Sequence, residues 1–253
     1  MESSEGLAQV LERAEAALRQ GWRAGAPTRI DVVDSLLDRQ IRSGRKAGLF
    51  AVSLADWERG PHLWTGEPIR TKLATEHVFS QEAARLLCRL AGGDPTVERA
   101  VAAASTRLAG TCYAVQHCTI GECATSFIGY VRFLAAVLGD SAHAEIAPRI
   151  HTLSQFRLGD GRWKRFPLFY TALVLSELRL PAAKDELLYA REACVRAARH
   201  NSVDEPYARR RSQLLGAAFG EPPNADAEDS RHTAHAGVAS TPARPGRERP
   251  MRG

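Results

Sequence analysis

The stretch at 149–178, RIHTLSQFRLGDGRWKRFPLFYTALVLSEL, constrains the fold more than any other part of the chain. Its first part reads as a helix ending near Gln155 and Phe156. Gly159, Asp160 and Gly161 then reverse the chain, because glycine reaches backbone conformations closed to other residues. Trp163 follows as a large surface in need of burial. Pro167 opens a second helix in which Leu168, Phe169, Leu173, Val174 and Leu175 leave no polar face, and such a helix belongs among other helices. Tyr170 lies within it, so its hydroxyl requires a buried partner. Glu122 and Glu177 are the candidates, and burial would raise the pKa of either and suit it to acid–base work.

Helical signals run through the rest of the chain. Residues 4–20 place Leu7, Val10, Leu11, Ala14 and Leu18 on one face, and Gly21 ends that helix. Pro27 and Thr28 open a second, with Ile30, Val33, Leu37 and Ile41 at helical spacing, stopped by Gly44. Residues 48–68 mix glycine, proline and aromatics without strand alternation and read as a structured loop. Helices follow at 67–76, 80–90 and 94–110, the last with Asp94 as cap and Pro95 in its first turn. The span 119–138 has the strongest periodicity, from Ile120 through Phe127 and Val131 to Leu138. Further helices are predicted at 141–156 with a bend at Pro148, at 167–180, and from Pro181 to His200. Ser202 and Glu205 form a capping box for the last one. The chain therefore reads as all-α, one helical domain over 1–219. Residues 220–253, rich in Pro, Gly and Ala with balanced charge, read as a disordered tail.

The net charge of +5 reads as arginine-rich composition rather than a nucleic-acid footprint, since no known nucleic-acid motif accompanies it. The opening MESSEG lacks a charged-then-apolar leader. The most apolar span is interrupted by Glu122 and Arg132, so neither a signal peptide nor a transmembrane segment is predicted. Five cysteines, an odd count at irregular spacing, then imply reduced thiols and a cytoplasmic setting.

Two segments echo one another. Ser35 to Gln40 followed by Gly48, Leu49 and Phe50 parallels His151 to Gln155 followed by Gly161, Arg162 and Trp163. Each has an apolar helix end, a glutamine, a glycine turn and an aromatic, and such a unit buries its face only by stacking on others. Here the chain resembles the repeat of the squalene cyclase and protein prenyltransferase families. The segment 160–180, DGRWKRFPLFYTALVLSELRL, carries the resemblance best; TCYAVQHCTIGECATSFIGYVRFLAAVLG is a second turn and helix of that kind. The resemblance implies an α/α-toroid-like array of helical hairpins. The chemistry of those families does not come with it. The cyclases' acidic DxDD or DxDTA-like run is absent. Tyr170 stands before Thr171, where the prenyltransferases place a zinc-binding histidine. No Asp lies two residues before Cys112, Cys118 or Cys123.

The candidate site residues fall in groups. Cys112, His117, Cys118 and Cys123 gather the thiol and imidazole donors that zinc takes, yet C-x5-C-x4-C is not a known zinc spacing, and plain packing of these thiols is the leading expectation. No cofactor is therefore predicted, with zinc as the alternative. Cys118 is the reactive-thiol candidate. Trp57, Trp64 and Glu67, with His62, mark either a pocket mouth or loop anchors. Arg162 and Trp163, with Lys164 and Arg165, offer an anion site or a solvated basic turn. Arg196, Arg199, Arg209, Arg210 and Arg211 load the last two helices with positive charge.

No paired-acid or nucleophile–base arrangement is visible. The leading expectation is thus a non-catalytic module that binds a protein partner or an apolar small molecule in a concave centre. The alternatives are a divergent enzyme of the isoprenoid-handling families, with Glu122, Tyr170 or Cys118 as its catalytic group, and a nucleic-acid-binding helical repeat. A roomy cavity lined by Glu122, Trp163 and Tyr170 would favour the enzyme.

Overall fold

The computed structural model describes residues 5–21, 27–200 and 203–220. Among them the chain is all-helical apart from turns. Its helices are α1 (Leu7–Gln20), α2 (Arg29–Leu37), α3 (Leu54–Glu58), α4 (Lys72–Ala91), α5 (Pro95–Ala109) and α6 (Cys112–Val115). They continue with α7 (Cys123–Leu138), α8 (His143–Ser154), α9 (Leu168–Ser176), α10 (Pro181–His200) and α11 (Tyr207–Phe219). Among the described residues, no helix is long and apolar enough to cross a membrane.

Several helix limits differ from those the periodicity predicts, each for a local reason. The second helix stops at Leu37 rather than near Ile41, whose N–H donates instead to Leu49 O at 2.8 Å. The helices expected at 67–76 and 80–90 are one, α4; Thr71 caps it and nothing breaks it, Ser80 Oγ donating back to Glu76 O at 2.6 Å. Helix α7 begins at Cys123, and Ile120, placed on its stripe by spacing, is 72% exposed. Helix α11 starts at Tyr207, after Pro206. Ser202 of the expected capping box and residues 221–253 of the expected tail lie outside the described residues.

Each of the echoed turns is closed by an isolated antiparallel bridge, in a register other than that of the echo. Isolated antiparallel bridges join Gln40 to Phe50, His62 to Pro68 and Arg157 to Trp163. Gln40 thus corresponds to Arg157, not to Gln155, which is exposed. The aromatic position matches, with Phe50 and Trp163 both buried. In each turn a glycine precedes the returning strand-like residues: Gly48, Gly66 and Gly161 have φ of +89°, +87° and +87°. A Cβ on Gly48 would lie 2.5 Å from Ala103 O of α5, and one on Gly161 would lie 2.8 Å from Ala193 Cβ of α10. Both the backbone angle and the close approach therefore require glycine.

The helices pack in a consistent order. Helix α4 lies against α1, α7, α2 and α5; α7 lies against α9 and α8; α9 lies against α10 and α11. The series α1, α4, α7, α9 thus runs side by side, and one core of Leu7, Phe79, Leu87, Phe127, Ile128 and Leu173 joins it. Helix α9, apolar all round, stands inside the packing as its sequence demands.

Gly6 before α1 and Pro167 before α9 supply no side-chain cap of their own. Distant carboxylates supply the missing acceptors. Asp56, at the start of α3, accepts from Leu7 N at 3.0 Å and Ala8 N at 2.8 Å. Glu67 accepts from Phe169 N at 2.7 Å and Tyr170 N at 3.0 Å.

Candidate functional site

A cavity of about 490 Å³ opens between α1, α4, the segment 56–64 and the start of α11, and Arg132 of α7 and Tyr170 of α9 reach into it. None of α2, α5, α8 and α10 contributes to its lining. Leu11 of α1, Leu63, and Val78, Phe79 and Leu86 of α4 form its apolar wall. Gln9, Glu12, Arg59, His62 and Tyr207 give it a polar mouth. Its depth is charged: Glu15, Glu82, Arg132 and Tyr170 all line it.

The charges arrive there because helical spacing puts them on inward faces. Glu15 follows Leu11 by one turn, and Glu82 sits between Phe79 and Leu86. Arg132 is 2% exposed in the middle of α7. It donates to Glu15 at 2.8 Å, to Glu82 at 2.9 Å and to Glu177 at 2.8 Å. Arg85 binds Glu82 at 2.8 Å and also contacts Glu15. Arg19 holds Glu15 at 2.6 Å and pairs with Glu177. Three carboxylates thus face three guanidiniums. Tyr170 donates its hydroxyl to Glu82, and the Arg132 guanidinium lies 5.9 Å from the Tyr170 ring centre.

This arrangement fixes the protonation states. Burial alone would push the Glu15 carboxyl up, but Arg132, Arg85 and Arg19 together hold it well below the usual carboxylate range. Glu82 and Glu177 are lowered against burial in the same way, chiefly by Arg132. Tyr170 is raised well above its ordinary value by burial and by the Glu82 charge, so it stays a phenol. The expected glutamate with a raised pKa is therefore corrected for Glu177, which lies at the solvent edge of the cluster and is held ionised by Arg132.

The partner expected for Tyr170 is also corrected. It is Glu82 rather than Glu122 or Glu177, although Glu177 joins the same cluster through Arg132. Glu122 accepts from Arg70 N at 2.6 Å and Thr71 N at 2.7 Å, fixing the entry to α4. Trp163 is buried on the α10 side, where its Nε1 donates to Glu186 at 2.8 Å. Glu122 and Trp163 do not line the cavity; of that trio only Tyr170 does. Trp64 lines it, half-buried, with Arg210 stacked 3.7 Å from its ring centre, whereas Trp57 on α3 does not. Glu67 caps α9, and exposed Arg162 is held by Asp160 at 2.6 Å.

The basic residues of the last helices are largely engaged. Arg210 pairs with Glu12 at 2.9 Å, Arg211 donates to Thr65 O at 2.8 Å, and Arg209 pairs with Glu205 at 3.3 Å. The thiols of Cys112, Cys118 and Cys123 lie within 4.8 Å of one another and can hold a metal ion. His117 is not in that group; its Nδ1 faces Thr152 Oγ1 at 3.2 Å.

No protein-family model, curated protein or solved structure matches the chain.

Proposed function

We propose that the chain is a non-catalytic, α/α-toroid-like binding module that takes an uncharged, amphipathic small molecule into the cavity lined chiefly by α1 and α4. The observation that carries this reading is an apolar-walled cavity with a charge-matched floor. Its volume of about 490 Å³ falls within the range usual for small-molecule sites. At the floor every carboxylate meets a guanidinium, so a charged head group would find no free counter-charge, whereas a hydroxyl or amide finds acceptors around Tyr170. The lowered carboxyl pKa values and the protonated Tyr170 support binding over catalysis, since none of these groups is poised to exchange a proton near neutral pH. Helices α1, α3, α4, α7, α9 and α11 line the cavity and α2, α5, α6, α8 and α10 do not, a division into inner and outer helices that supports the toroid-like reading. Five free thiols suit a cytoplasmic setting.

Fluorescence titration with uncharged N-phenyl-naphthylamine tests the reading. One saturable site per chain is expected, lost in Ala8→Trp, which fills the mouth from α1. Binding that survives Ala8→Trp in a folded protein would place the ligand elsewhere.

A further inference from the structure

Apart from the cavity, one cluster of reactive groups has no structural task. Cys112 opens α6, Cys123 opens α7, and Cys118 lies on the loop between them. The loop is folded back on itself: Gln116 N donates to Cys112 O at 2.8 Å, Cys118 N to Cys112 O at 3.3 Å and Cys123 N to Ile120 O at 3.1 Å. His117 and Gly121 take φ of +50° and +56° within it. The result brings three sulfurs within 4.8 Å of one another, with Cys112 Sγ and Cys123 Sγ at 3.8 Å.

Packing does not account for this cluster. A cysteine used as a small hydrophobe is buried, as Cys194 is. Cys112 is exposed, and Cys118 and Cys123 are only half-buried. We infer that Cys112, Cys118 and Cys123 form a three-thiolate site for a thiophilic metal ion such as zinc, with the fourth position facing solvent. A tetrahedron with zinc–sulfur bonds of about 2.3 Å sets its sulfurs about 3.8 Å apart, which is the Cys112–Cys123 separation. The third sulfur needs only a small side-chain adjustment. On binding, the three thiols release their protons to solvent, three sulfur–zinc bonds form and water completes the shell.

The ionisation of the cluster agrees with this. Cys118 is lowered, mainly by a hydrogen bond with the backbone at Ile120. Cys123 is pushed up to about 12 by burial and by the two neighbouring thiols. Neighbouring thiolates repel one another, and a bound dication removes that repulsion. Three protein ligands with an open fourth position is the pattern of zinc sites that admit an outside ligand.

The test uses the full reduced chain titrated with cobalt(II) and then zinc(II). One cobalt per chain is expected, with thiolate-to-cobalt charge-transfer bands and the intense visible bands of tetrahedral geometry, both bleached by zinc. Each of Cys112→Ser, Cys118→Ser and Cys123→Ser should weaken binding by about tenfold or more, since loss of even an outer partner costs that much. Cys88→Ser and Cys194→Ser should change nothing. Far-ultraviolet circular dichroism confirms that the variants fold. Cobalt spectra without sulfur bands, or binding unchanged in Cys118→Ser, would overturn the site. Either result leaves the cavity reading untouched, because the two sites share no residue.

Discussion

Arg132 is the residue on which the interior depends most. One guanidinium, 2% exposed, satisfies three carboxylates from α1, α4 and the end of α9. Truncating one member of a buried charge cluster strands the others, at a cost of about 3–5 kcal/mol. Arg132→Met should therefore lower the unfolding free energy by about that amount in urea titrations. Tyr170→Phe removes only one of the donors to Glu82, which keeps Arg85 and Arg132, and should cost about 1 kcal/mol. Burial of Tyr170 was legible from the apolar helix around it. Its partner was not, because Glu82 looks like any surface acid until Phe79 and Leu86 on either side are seen to face inward. Glu15, Glu82 and Arg132 each stand at an apolar-stripe position, and that was the available signal.

At the scale of elements, the fold relies on turns and on caps brought from elsewhere. Asp56 serves both its own helix and the start of α1, accepting from Ser53 N at 2.8 Å as well as from Leu7 and Ala8. Asp56→Ala should cost about 2 kcal/mol or more, since each lost cap costs about 1 kcal/mol and two helix starts are affected. A denaturant midpoint that moves by less than half of this would mean that water replaces the carboxylate. Gly161→Ala should destabilise by more than about 1 kcal/mol, and by more than Gly21→Ala. Both glycines have positive φ, but only the first is pressed against Ala193. Helix type and order were legible because periodicity, Asp94-Pro95, Pro167 and Pro181 are local signals. The short helices α3 and α6 were not, since a single turn shows no period. Nor were the roles of Asp56 and Glu67, which act on residues 49 and 102 positions away.

For the whole molecule, the ion cluster sets the response to acid. Glu15, Glu82 and Glu177 have folded-state pKa values below that of an unfolded glutamate, about 4.3. Below that pH the unfolded chain takes up protons that the folded one refuses. The stability they contribute is thus complete above about pH 4.3 and is lost as pH falls towards their lowered values. Thermal midpoints should drop on acidification in this range. In Arg132→Met the carboxylates lose their largest compensating charge, their pKa values rise, and the loss of stability on acidification should be shallower than in the parent. The all-helical class was visible in the sequence, whereas the cavity depends on which faces separate helices present to one another.

The central claim is that this cavity, apolar in its walls and charge-matched at its floor, receives an uncharged amphipathic molecule. Calorimetric titration with decanol, decanoate and decylammonium, equal in chain and different in head, tests it most directly. One decanol per chain is expected, with both charged ligands weaker by about tenfold or more because neither charge finds a free partner at the floor. Binding of decanoate or decylammonium as tight as that of decanol, or no binding of decanol, would contradict it.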